Sequence, residues 1–248
     1  MKEDAVREFI RKLPDLNMAP PTVHLQMLNA RSKKVKEFLG EKMDDLVIER
    51  KIIRPIPNWR ERYFNSLENL CLLQHYGHYD FRGKTICREA KAVFATLSPR
   101  NVRLATKNFM TDNINFMYAL SESDQMELAK QTSRWFGQLH KNKAKGTTFV
   151  TIDIDAPAKN ILTRVLDYVS SIKIWMVTET SGGHHVILDL SRKEDAAAFY
   201  GKNAILQKMR LTENPRVVEI QRDSQEPVPG TFYHRSGSTE PFYVRILQ

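Results

Sequence analysis

Only two cysteines, Cys71 and Cys87, occur in the 248 residues, too few for a disulfide framework, and a reducing cytosol is the default compartment. No apolar run approaches the roughly 20 residues needed to span a bilayer, so no membrane association is expected. The N-terminal MKEDAVREFIRKL carries charges throughout and no small-residue cleavage site. It reads as an amphipathic helix rather than a signal peptide, and a cytoplasmic location is expected. No internal repeat or low-complexity tract is present. Acidic residues are in deficit, 29 against 38 Lys and Arg, and the net charge is +9. An excess of that sign points to a polyanionic partner, because lysine and arginine displace counterions from a phosphate backbone. The excess is concentrated. Arg82, Lys84, Arg88, Lys91, Arg100, Arg103 and Lys107 stand against the single acid Glu89, and Lys141, Lys143 and Lys145 precede Gly146.

Prolines divide the first eighty residues, at Pro14, Pro20-Pro21, Pro55 and Pro57, and the segments between them read as helices. The expected organisation is a helical region 1–80 followed by a unit 81–248, itself an αβ lobe 81–146 and a sheet lobe 147–248. In the first lobe a strand is expected over 91–97, stopped by Ser98-Pro99, and Ser121 with Asp124 opens a helix running to about His140. Residues 149–155 alternate and are β-branched, which favours a strand. Pro157 suits the first turn of a helix whose apolar face is Ile161, Leu162, Val165, Leu166 and Val169. Strands over 174–180 and 184–190 form a hairpin through Ser181-Gly182-Gly183, a helix is expected over 193–209 although Gly201 weakens it, and a fourth strand over 216–221. The order βαββαβ predicts an α+β fold with a ferredoxin-like, RRM-like sheet, helices on one face and the other face free for chemistry.

Asp153 and Asp155 are two residues apart on a strand and project from one face, with α-carbons about 6.5–7 Å apart. A converging carboxylate pair suits hard divalent cations such as Mg²⁺ or Mn²⁺. On the hairpin, His185 falls on the polar face while His184 shares the apolar face with Val186 and Leu188. The glycines of the turn permit close approach to a ligand. Glu219 sits in a β-branched run, where an acid is costly unless paired or metal-bound. In the usual strand order of this fold, Glu219, the two aspartates and His185 converge on one surface.

TIDID, TSGGHHVIL, VVEIQRD and PVPGTFYHRSG resemble, in order, the motifs of the archaeo-eukaryotic primase superfamily, over roughly residues 90–248. The resemblance implies that 81–248 is a primase-polymerase catalytic domain. Asp153, Asp155 and Glu219 would be the catalytic, metal-holding acids, and Ser181, His185 and Arg235 would bind the incoming triphosphate, with Arg222 as a helper. PGTFYHRSG is similar to the PGSLHGKTG of archaeal primases, which puts Arg235 at a basic position near the nucleotide. The short turn before His185 leaves His184 as a substitute. A glutamate where aspartate is commoner leaves Asp223 as an alternative third acid. The implied activity is template-dependent nucleotidyl transfer onto a primer 3′-hydroxyl or an initiating nucleotide. Its partners would be a single-stranded DNA template and nucleoside triphosphates; a helicase or accessory replication subunit stays open.

Three rival readings compete. A catalytically silent module binding single strands on a ferredoxin-like sheet would display stacking aromatics, where acids and a histidine are expected here. A rolling-circle nuclease needs a histidine pair on one face, which the adjacent His184 and His185 do not form. Cys71, His75 and His78 fall on one helical face with Cys87 further on, but the spacing fits no common zinc finger. They read as buried structural residues, and a structural zinc is not expected.

Overall fold

Val23, Leu25 and Met27 alternate with His24, Gln26 and Leu28, and this period of two builds a strand at the centre of the N-terminal half. The computed structural model describes all residues except 32–34, 37–39, 41–45, 82, 120–130, 156–158, 202–204, 206–208, 210–212, 215–216, 223–224 and 235–240. Helix α1 (Glu3–Lys12) has Glu3 and Asp4 in its first turn and Arg11 and Lys12 in its last, matching the helix dipole, and buries Val6, Phe9 and Ile10. Strands β1 (Thr22–Ala30) and β2 (Leu46–Ile53) follow, then α2 (Trp59–Tyr76). The short strands β3 (Asp80–Phe81) and β4 (Lys84–Thr85) pair with each other. Strands β5 (Lys91–Thr96) and β6 (Arg100–Asn101) lead into α3 (Val102–Ala119) and α4 (Gln131–Lys141).

The expectation that residues 1–80 are helical is therefore corrected. Pro20 and Pro21 do not break a helix but precede β1, which pairs antiparallel with β2, β5 and β6. Strand β1 is buried along its whole length because both faces are covered. Val23, Leu25 and Met27 pack beneath α3 and α4, against Ala105, Trp135 and Leu139. Leu28 faces α1 and α2, in one cluster with Phe9, Tyr63 and Leu67. The polar residues on that second face find partners. The Nε2–H of His24 donates to the Pro14 carbonyl at 3.0 Å, and Gln26 donates to the Tyr63 carbonyl at 2.8 Å.

Burial lowers the His24 pKa to about 4, although the bond to Pro14 opposes it. The neutral imidazole is the form the fold accepts, so its contribution is whole above the ordinary value near 6.5. It is lost as pH falls from there to about 4, because the unfolded chain takes up a proton that the folded chain refuses. The loss should reach about 3 kcal/mol. Urea unfolding at neutral and at mildly acid pH should show His24→Gln losing less stability than the wild type across that interval. Parallel losses in the two proteins would remove His24 as the cause.

Strands β7 (Phe149–Ile154), β8 (Ile174–Glu179), β9 (His184–Asp189) and β10 (Val218–Arg222) form the second sheet, with α5 (Lys159–Tyr168) between β7 and β8 and α6 (Lys193–Tyr200) between β9 and β10. The strand β11 (Gln225–Pro227) crosses over to the first sheet and pairs with β5, whereas the short β12 (Arg245–Ile246) pairs with β8. The sheet orders are β11-β5-β1-β2 and β10-β7-β9-β8-β12, with every pairing antiparallel. The fold is α+β. The helix expected over 193–209 stops at Gly201, whose extended backbone (ψ 179°) donates back to the Ala197 carbonyl. Ile205 and Met209 are helical again. Pro157, Ser121 and Asp124 lie outside the described residues.

One face of the second sheet carries Val150, Ile152, Ile154, Val186, Leu188 and Val218 against Val165, Val169 and Phe199. The opposite face, expected to be free, is covered along half its length. Phe149, Trp175, Met176 and Ile187 join the cluster of α1, α2 and the first sheet. Trp175 sits edge-on to Phe9 and Phe149 and donates its Nε1–H to the Lys12 carbonyl at 3.1 Å. The apolar face of the amphipathic N-terminal helix, Val6, Phe9 and Ile10, packs here.

Candidate active site

At the uncovered end of that face, the pairing registers set Glu219 of β10 opposite Asp153 of β7, Asp153 opposite His185 of β9, and His185 opposite Thr178 of β8. Neighbouring strands lie about 4.8 Å apart, so the four side chains form one row across the sheet. The next row inward is Gln221, Thr151, Ile187 and Met176, and there the apolar contact with the first sheet begins. Asp155 continues the ladder beyond Ile154, its N–H donating to the Val217 carbonyl at 2.8 Å. Asp155 and Glu219 are exposed and Asp153 is half-buried.

His185 is only 13 % exposed and lies between two acids: Nδ1 is 2.7 Å from Glu226 and Nε2 is 3.4 Å from Asp153. A carboxylate only accepts, so Nδ1 carries a proton toward Glu226, and a second proton on Nε2 satisfies Asp153. Burial lowers the His185 pKa, but the charge and hydrogen bond of Glu226, with Asp153 and Asp155 beyond, overcome it and raise the value. Burial raises the Asp153 pKa. The His185 charge opposes that, while Asp155, Glu226 and Glu219 add to it. Gln221 donates to the second Asp153 oxygen at 3.3 Å.

Sequence reasoning missed Glu226. Its side chain is 2 % exposed, accepts from the Thr151 hydroxyl at 2.5 Å and orients His185 from the other sheet. A three-residue strand after a crossover has no period to read. The Ser181-Gly182 turn does reach the acidic end. A β-carbon on Gly182 would stand 3.6 Å from an Asp155 carboxylate oxygen, and Ser181 beside it is half-buried.

Two assignments are corrected. Arg222 shares the helix face of β10 with Val218 and Ile220, and its guanidinium lies 4.6 Å from the centre of the Tyr200 ring, so it does not join the row. His184 stands opposite Ile154, buried on the helix face, and cannot stand in for His185. Both follow from the alternation of side chains along a strand. Arg235 and Asp223 lie outside the described residues.

Among the described residues, no group of three or more His, Cys, Asp or Glu side chains is arranged to hold a metal ion as it stands. The donor chemistry at Asp153, Asp155 and Glu219 nevertheless fits a hard divalent cation. Their oxygens are the ligand type such ions take; burial first, and the charges of Asp155, Glu226 and Glu219 after it, disfavour the Asp153 anion, and a cation would relieve both. Elsewhere, Cys71 is buried beside Leu67 and Leu70, and burial pushes its thiol up to about 11. The His75 ring packs on Phe232, and Cys87 lies against a separate cluster with Ala30 and Ile86.

The basic run 82–107 is not one solvated face. Lys91 and Arg100 are 2 % and 0 % exposed, Lys91 donates to the Gly77 carbonyl, and Arg88 lies over the Phe232 ring. No helix among the described residues is long and apolar enough to cross a membrane. Comparison with protein-family models, curated proteins and solved structures yields no match.

Proposed function

We propose that this chain is a template-dependent nucleotidyltransferase of the primase-polymerase kind, with the strand order β10-β7-β9-β8 read as an RRM-like, ferredoxin-like sheet. The observation that carries the reading is the row Glu219–Asp153–His185, with Asp155 two residues along and the glycine turn against it. Three segments distant in sequence supply that row.

In this reading Asp153, Asp155 and Glu219 hold Mg²⁺ or Mn²⁺. When bound, the ions would neutralise triphosphate charge and favour ionisation of the attacking hydroxyl. Glu226 fixes the ring of His185 and keeps it cationic; with Asp153 engaged on a cation, the Nε2–H that otherwise faces that carboxylate would be released to donate a charge-assisted hydrogen bond to a triphosphate oxygen. Ser181 and Arg235 are assigned to the same triphosphate, and a single-stranded template supplies sequence. The rival of a silent nucleic-acid module is disfavoured by a specific contact. Phe149 and Trp175, the aromatics on the relevant face, are buried under α1 and cannot stack on bases.

Incubation with single-stranded template, labelled nucleoside triphosphates and Mg²⁺ or Mn²⁺, with and without a primer, tests the proposal. Incorporation that needs both template and metal is expected; its absence under all conditions refutes the reading. In an active preparation His185→Ala should chiefly raise the nucleotide KM, because its hydrogen bond exists before the transition state. The loss should be on the order of 1.5–3 kcal/mol. A fall confined to kcat would move His185 from binding to the chemical step.

A further inference from the structure

A groove of about 560 Å³ runs between β2, the terminal strand of the first sheet, and α2. Its size is that of a ligand site rather than a packing defect. Lys51, Arg54 and Arg62 supply its charge. Lys51 is paired with Glu49 at 3.0 Å, but Arg54 and Arg62 are exposed and meet no acid among the described residues. Asn65, Ser66 and Asn69 line the helix side with hydrogen-bonding groups, and Ile53 and Ile56 contribute an apolar floor. The same face of α2 continues at helical spacing. Residues 62, 65, 69, 72 and 76 form one stripe, and its last two members, Leu72 and Tyr76, are 56 % and 78 % exposed. Two unpaired guanidinium groups, amides and a solvent-facing aromatic in line are the parts of a single-strand track. Arginine binds backbone phosphates, and an exposed ring stacks on any base.

We infer that the β2–α2 groove binds single-stranded nucleic acid, with Arg54 and Arg62 on consecutive phosphates and Tyr76 stacked on a base. The inference rests on the polymerase reading only in calling that strand the template. The groove lies at the opposite edge of the sheet from Glu226, three strand spacings or about 14 Å away. It would therefore hold the strand beside the reacting end rather than in it. The net charge of +9 favours the same class of ligand. Lys91 and Arg100, in the basic run 82–107, are buried and offer no such surface.

Fluorescence anisotropy with a labelled oligothymidylate, across a salt series and without nucleotides or metal, measures this directly. The wild type should bind, with affinity falling as salt rises. The double variant Arg54→Ala/Arg62→Ala should lose about tenfold or more in affinity, and its log–log salt slope should shrink by about 1.4, two phosphate contacts at roughly 0.7 each. Tyr76→Ala should weaken binding about five- to a hundredfold with the slope unchanged. The charge-matched control Arg103→Ala/Lys107→Ala, exposed on α3, should leave the slope as it is. All five side chains are exposed, so melting temperatures should not move.

Three results would each overturn the inference: no binding by the wild type, wild-type affinity in the Arg54/Arg62 variant, or an equal loss in the control. Tight binding of polyglutamate that depends on Arg54 and Arg62, with none of the oligonucleotide, would reassign the groove to an acidic peptide. Incorporation with an unaffected Arg54/Arg62 variant would sink the groove and spare the polymerase. Groove-dependent binding without any incorporation would do the reverse.

Discussion

Asp153→Asn is expected to cut template-directed incorporation by about 10²–10³-fold, the scale on which losing one charge-stabilising group at a reacting centre is felt, while the protein stays folded. Asp153 stands at the middle of the row, with Glu219 on one side and His185 on the other, and asparagine keeps its shape while removing the anion. The fold should tolerate this. Burial raises the Asp153 pKa, and of the neighbouring charges only His185 favours the ionised form, against Asp155, Glu226 and Glu219. The native site therefore carries its negative charge at a cost, and neutralising it removes repulsion as well as attraction. Incorporation assays and a melting curve on the same preparation read both halves. Wild-type turnover in a folded Asp153→Asn protein would take the residue out of the chemistry. An Asn variant that no longer melts cooperatively would make Asp153 a structural residue instead.

Glu226→Ala is expected to have the largest effect on stability. The change strips a buried imidazole and a buried hydroxyl of their common partner, since both His185 and Thr151 bond to this carboxylate. Breaking a buried ion pair from one side typically costs 3–5 kcal/mol, about 6–20 °C in melting temperature for a chain of this size. Glu226→Gln keeps the volume and should lose less. The pH dependence has a definite sign. The His185 pKa is raised in the folded protein, so its stabilising contribution is complete below the ordinary value near 6.5 and fades as pH climbs through the raised one. The gap in stability between wild type and Glu226→Gln should narrow toward alkaline pH. A gap that widens, or an Ala variant that melts with the wild type, would show that the pair does not hold the two sheets together.

The C-terminal elements were legible because they obey a local rule. Residues 149–154 alternate between a β-branched face and a polar face, and the same alternation puts His184 and His185 on opposite sides. From that pattern alone the two aspartates, His185 and Glu219 could be assigned to one surface, and the observed registers set three of them in a single row. The strand β1 obeys the same rule but was obscured by the prolines before it and by the polar residues of its second face. His24 and Gln26 look like surface residues until Pro14 and Tyr63 arrive to bond them.

Other features were settled by long-range contacts that no local pattern encodes. Glu226 reaches His185 across 41 residues of chain, and its three-residue strand belongs to the other sheet. Lys91 and Arg100 belong to a run read as basic surface for a polyanion, but tertiary packing buries both. The residue pattern determined which side chains share a face, because the backbone pleat repeats every two residues wherever a strand forms. The packing of two sheets decided how much of that face stays open and which acid turns the histidine toward it, because burial and cross-sheet hydrogen bonds depend on neighbours far away in the chain.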